Sequence, residues 1–283
     1  MAIVLGDNQY GKAETRLVRV DRGENEHAIV DLNVTTTLAG DLAATHLTGD
    51  NSGVLPTDTQ KNTVYAFARD GVGEIEDFAL RLAKHFVDST PTITRARVRI
   101  ERYTWDRFGH HSFSRGAGTR TTSVTFDGGR ATVVSGVEDL VVLNTTGSGF
   151  HGYHKDRYTT LPETTDRILA TAVTAHWRHA TDSGDWAASH AEASRHLLEA
   201  FAGTHSLSLQ QTLHAMGQRV LANRDELVEV RLALPNKHHF LVDLEPFGLD
   251  NPGEVFYAAD RPYGLIEGTV LRDDAPEPGL AWW

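Results

Sequence analysis

At 283 residues the chain has room for one large domain or two of ordinary size, about 150 residues each. Its 40% apolar and 23% charged residues are ordinary for a soluble globular protein, and a net charge of −11 argues against a phosphate-backbone binder, which concentrates Lys and Arg. The absence of cysteine excludes disulfide frameworks, thiol nucleophiles and Cys-based zinc or iron–sulfur centres.

The chain opens on Met1-Ala-Ile-Val-Leu-Gly-Asp7, with no basic n-region and too short an apolar run for a signal peptide. Its last residues, Gly279–Trp283, carry no receptor-read targeting tripeptide, and no window approaches the ~20 apolar residues a spanning helix needs. A cytoplasmic bacterial setting, with a small-molecule ligand and neither nucleic-acid nor membrane partner, is expected. An anionic ligand would need a local cationic pocket against the global charge.

Lys12 follows Tyr10-Gly11 and precedes a hairpin: Thr15–Val20 and His27–Val34 alternate on either side of the polar turn 21–26. Thr57-Asp58-Thr59-Gln60 matches the S/T-x-x-Q capping box and predicts a helix into Lys61–Arg69. Free N–H groups and a partial positive charge at such an N-terminus suit an anionic ligand. A second helix is predicted over about 72–87, with Ile75, Phe78, Ala79, Leu82, Ala83 and Phe86 on one face. Strands follow near 93–103, where Ala96, Val98 and Ile100 alternate with Arg95, Arg97 and Arg99, then near 119–126 and 131–134 about the Asp127-Gly128-Gly129 turn.

The order then repeats. Extended segments near 140–143 and 149–153 precede helical runs predicted at about 163–180 and 186–223, and strands at about 227–234 and 239–244. Thr160-Leu-Pro-Glu163 and Ser208-Leu-Gln-Gln211 are two further capping-box matches. Pro235 fits an edge or a strand start rather than a central strand. Asn236 and His238, two apart, share a face on an extended chain, and Lys237 points away. The reading is α+β, a β-β-α-α-β-β unit used twice, with the boundary at residues 136/137. Such units leave sheet edges open unless oligomerisation covers them.

Fifteen histidines raise a metal reading, but pairs such as His151/His154 and His176/His179 lack a carboxylate–histidine set at recognised spacing. No metal is expected. No nucleophile elbow, dinucleotide fingerprint or P-loop is present, so no nucleotide cofactor is expected either.

Taken together, five blocks carry a resemblance along nearly the whole chain: Tyr10-Gly11-Lys12; Thr57-Asp58 with Lys61-Asn62-Thr63-Val64-Tyr65; Phe150 with Asp156–Leu161 and Asp166-Arg167; Leu209-Gln210; and Leu234-Pro235-Asn236-Lys237-His238. In this order the chain resembles the urate oxidase (uricase) family. The resemblance implies two tandem tunnelling-fold domains, residues 1–136 and 137–283, whose antiparallel sheets close into barrels on forming a homotetramer with active sites between subunits. It implies oxidation of urate by O2 with no metal or organic cofactor, giving 5-hydroxyisourate and hydrogen peroxide as the first committed step of urate breakdown. It implies a proton relay of Lys12, Thr57 and His238. Arg167 and Gln210 grip urate in its plane, Phe150 stacks on it, and Leu161 and Leu209 line the apolar wall. The backbone of Asp58 holds the opposite edge beside Thr57, and Asn236 positions dioxygen, peroxide or water. Leu209 departs from the smaller valine of many relatives, which bears on pocket width. A pterin-acting tunnelling-fold enzyme and a non-catalytic purine binder are the competing readings; the Arg167/Gln210 pair stands against the first, and Lys12 with Thr57 against the second.

Overall fold

The computed structural model describes residues 1–259 and 261–283. In chain order the elements are β1 (Tyr10–Arg22), β2 (His27–Gly40), α1 (Ala43–Leu47), α2 (Thr57–Asp70), α3 (Ile75–Ser89), β3 (Ile93–Arg107), β4 (Phe113–Phe126) and β5 (Ala131–Asn144). They continue as β6 (Leu169–His179), α4 (Trp186–Gly203), α5 (Leu209–Asn223), β7 (Leu227–Asn236), β8 (His239–Leu241), a 3-10 turn (Glu245–Phe247), β9 (Phe256–Ala258) and β10 (Gly264–Leu271).

One eight-stranded sheet in the order β1-β2-β3-β4-β5-β6-β7-β10 organises the chain. Its neighbours pair antiparallel throughout. Alternation decides its two faces, as the sequence predicts: Ala96, Val98 and Ile100 are fully buried against the helices, and Arg95, Arg97 and Arg99 stand on the other side. Two apolar cores lie under the helices. One joins α2 and α3 to β2–β5, and the other joins α4 and α5 to β5–β7. β5 runs unbroken through residues 136/137 and contributes Val133 to one core and Val137 to the other. The α+β class is therefore realised as one sheet with two helix pairs on a common face.

Local predictions are corrected in three stretches, 149–180, 186–223 and 235–244. The helix expected over 163–180 is absent; 169–179 form β6, a central strand whose helix-facing side chains are buried and whose Ala172, Thr174 and His176 on the other side are half-buried. The small and apolar run 168–175 cannot be separated from a buried helix segment by periodicity, and the β-branched Thr171, Val173 and Thr174 tip the balance. The Thr160 capping box accordingly starts no helix, and the extended segment near 149–153 is reduced to one bridge, Phe150 to Thr164. His239–Leu241 pairs with β9 in a separate hairpin, and β10 supplies the last strand of the main sheet. That makes β7 internal, so Pro235 sits near the end of a central strand, where the β6–β7 pairing skips from Ala233 to Asn236. The predicted run over 186–223 is two helices, split at 204–208.

The halves are stitched by buried polar groups. Glu76 of α3 is fully buried and accepts from Arg120 and Ser135, each at 2.7 Å. Burial raises its carboxyl above the usual range, and Arg120 opposes the rise. Ser135 in turn lies 3.0 Å from the His179 ring, whose neighbour Trp186 donates to Asp77 at 2.7 Å.

Burial drives His179 down to about 4 and His190 down to about 3. Each native pKa lies below the unfolded value near 6.5. Both therefore contribute fully above pH 6.5, and stability falls as pH drops from 6.5 towards 4, where the unfolded chain takes up protons the native one refuses. Unfolding free energy measured in urea at pH 7 and pH 5 is expected to differ by about 2 kcal/mol for each histidine. A His190→Phe variant retaining the full pH slope would remove that group from the account.

Candidate functional site

The second half of the chain builds a pocket of about 650 Å³. Phe150, Leu161, Arg167, Leu209, Gln210, Asn236 and His238 all line it, so the second-half site residues that the family resemblance implies converge there. Each arrives by a local device. Ser208 caps α5 by accepting from the Gln211 N–H at 3.2 Å, and the Gln211 side chain accepts from the Leu207 N–H at 2.9 Å. That sets Leu209 buried and Gln210 exposed in the first turn. Asn236 closes β7, and the Lys237 N–H is spent on the Ala170 carbonyl at 2.8 Å, leaving Asn236 and His238 on the pocket side.

Arg167 lies just ahead of β6, half-buried, with its Nε 3.4 Å from the Ser148 hydroxyl and its guanidinium 5.2 Å from the Phe150 ring centre. Burial lowers its pKa without removing its charge. The Phe150 ring is backed by Tyr153, stacked at 4.9 Å and 17°. Tyr153 also donates to the Leu161 carbonyl, tying the two walls together. His238 is held below its ordinary pKa by burial first and by the Arg167 charge second, so its ring is neutral near pH 7.

The first-half residues gather elsewhere in the chain. β1 begins with Tyr10, whose hydroxyl donates to the Leu55 carbonyl and accepts from the Leu55 N–H, both at 3.0 Å. This brackets the turn into α2 beside Lys12. Gly11 is required there because a Cβ would sit 1.8 Å from the Thr36 carbonyl oxygen. The Lys12 N–H approaches the Thr36 hydroxyl at 3.4 Å, and Thr36 donates to the Gln60 side chain at 2.8 Å. Gln60 is thereby used up, and the predicted capping box does not form: Pro56 is the N-cap with no side-chain bond, and Thr57 is the first helical residue. The Thr57 hydroxyl is consequently not spent on its own helix, and the first-turn N–H groups, Asp58 among them, have no intrahelical partner. The Asp58 carboxylate is occupied by Lys61 and Asn62, with Lys61 chiefly lowering its pKa and Lys12 adding a smaller pull.

Lys12, Thr57 and Asp58 do not line the pocket that holds Arg167 and Gln210. Within one chain the sequence-predicted residues thus form two separate groups, a Lys/Thr helix-terminus edge and an Arg/Gln/aromatic pocket. Phe256 and Ile266 also line the pocket, and the sequence reading does not single them out. The alternation of Leu265–Leu271 is the signal that points to Ile266. Among the described residues no group of three or more His, Asp or Glu could hold a metal ion. Among them, too, no helix is long and apolar enough to cross a membrane.

An antiparallel α+β sheet protein whose pocket sets a guanidinium and an amide beside Phe150 has the donors, acceptor and stacking face that suit a planar, polar heterocycle. The uricase family model matches residues 8–127 and 133–267, and the chain belongs to that family. It is 54% identical to the uricase of Arthrobacter globiformis over 283 residues, covering 99% of this chain and 94% of the relative. It is 38% identical to the uricase of Dictyostelium discoideum, over 94% and 96% of the two chains. The crystal structure of the Arthrobacter globiformis uricase superposes with a TM-score of 0.94 over 98% of each chain.

Proposed function

We propose that the protein is a cofactor-free urate oxidase of purine catabolism, converting urate, O2 and water to 5-hydroxyisourate and hydrogen peroxide. The observation that carries this reading is the sorting of the site residues into two complementary half-sites within a chain of the uricase family. Each is incomplete alone. The main sheet leaves β1 and β10 as its edges, with Val18 on one and Leu265 and Leu271 on the other exposed. Such edges call for covering. We read the chain as two tunnelling-fold units, 1–136 and 137–283, that close into barrels in a homotetramer and bring Lys12, Thr57 and Asp58 of one subunit against the pocket of another.

In that arrangement Arg167 donates two parallel hydrogen bonds to urate, and Gln210 donates one and accepts one at the same ring edge. Phe150, backed by Tyr153, stacks on the ring, while Leu161 and Leu209 exclude water. The free N–H at Asp58 holds the far edge and favours negative charge there. Lys12, Thr57 and neutral His238 relay the protons that leave urate, and Asn236 positions the oxygen species above the ring. Urate deprotonated twice is electron-rich enough to pass an electron to dioxygen, so the protein contributes orientation and charge stabilisation.

The test is direct. After exhaustive chelation, the protein is expected to bleach urate absorbance with equimolar oxygen uptake and peroxide release. Absence of turnover, or turnover restored only by added metal, rejects the reading.

A further inference from the structure

We propose that the helix-free face of the sheet carries a second ligand site, a pocket for a small inorganic oxyanion between β3, β4, β6 and the Trp282-Trp283 pair. A cavity of about 190 Å³ lies there, lined by Arg97, Arg99, Thr121, Ser123, His176 and Trp283 among others. It shares no lining residue with the Arg167 pocket. Its size is below the ~300 Å³ of ordinary organic-ligand pockets and suits an ion such as phosphate, sulfate or bicarbonate.

The charges in this cavity are unequal in their pairing. Arg99 and His176 both lie 2.9 Å from the Glu138 carboxylate and are satisfied by it. Arg97 has no such partner among the described residues. Its guanidinium stands 5.2 Å from the Trp283 ring centre, and the Arg95 guanidinium lies 3.8 Å from the same ring. Burial and the neighbouring Arg99 both push the Arg97 pKa down, the signature of a cation lacking a counter-charge.

Thr121 supplies an independent observation. It is 2% exposed, and its hydroxyl has no hydrogen-bond partner. Buried hydroxyls are ordinarily paired, and an unpaired one facing a cavity points to a ligand. Gly136 lets His176 and Thr121 pack close beside the cavity: a Cβ there would lie 2.4 Å from the His176 ring and 2.9 Å from the Thr121 hydroxyl. A lone guanidinium, a free hydroxyl and an aromatic roof fit an oxyanion that accepts from the first two. Its occupancy would hold the C-terminal segment against strands from both halves of the chain.

The intact protein is titrated with sodium phosphate, sulfate or bicarbonate, with sodium chloride at matched ionic strength as reference, following Tm and tryptophan fluorescence. A saturable Tm rise with a parallel fluorescence change is expected for at least one oxyanion, as for any ligand that binds only the native state. Arg97→Gln should abolish the saturable part and leave the general salting-out slope. Thr121→Val, which keeps the shape, should weaken the midpoint by roughly fivefold or more, and it decides the matter if the arginine variant does not fold. Urate turnover in both variants should match the parent. A rise that is linear in salt, or saturable but identical in both variants, overturns the site.

Discussion

Arg167→Ala should lose affinity for an inert urate analogue by roughly a hundredfold or more, a cost of about 3 kcal/mol or above. The reason is geometric as much as electrostatic. Arg167 reaches the pocket from the residues just before β6, and among the described residues no other group lining it carries a permanent positive charge. Removing the fork leaves the acceptors it served desolvated against Phe150 and Leu209, with Gln210 supplying one donor at that edge. Arg167→Lys should recover only a small part, because a point charge cannot make two parallel bonds. Calorimetric titration of the analogue and the KM for urate both report this. An affinity within threefold of the parent would remove Arg167 from the grip on substrate.

Lys12→Met should do the reverse. Turnover is expected to fall by about 10²–10⁴-fold, the range for losing a positioned acid–base group, with analogue binding changed only a few-fold. The distinction rests on placement: Lys12 lies at the β1 bulge near the start of α2, away from the pocket that Arg167 lines in the same chain. Equal losses in kcat and in binding would reject the relay role. The two variants also test where the site forms. If each site takes its Lys12 and its Arg167 from different subunits, mixing equal amounts of the two inactive chains should restore about one quarter of parent activity. No recovery after proven subunit exchange would place both residues in one subunit's site.

Much of the second half-site is legible in the amino-acid sequence alone. Asn236 and His238 share a side because the spacing of two is the period of an extended chain, and the 2.8 Å bond from the Lys237 N–H to Ala170 fixes that outcome. Ser208 caps its helix because the box residues there have no competing partner. At Thr57 the same motif fails, since Gln60 is buried and bound to Thr36, a residue on another element that no local pattern reveals. Phe256 escapes a local reading because it belongs to the β8–β9 hairpin, whose strands no sequence pattern separates from the main sheet.

Periodicity and motifs spanning a few residues suffice for the α+β class, the strand and helix order of the first half, the apolar faces of α3 and β3, and the residue types available for chemistry. Only the folded chain settles that 169–179 is a strand, that β10 rather than β8 pairs with β7 in the main sheet, and that Lys12 does not line the pocket that Arg167 lines. Each of these depends on which distant segment lies beside an element, and a short run of small and apolar residues such as 168–175 carries no period that tells strand from helix.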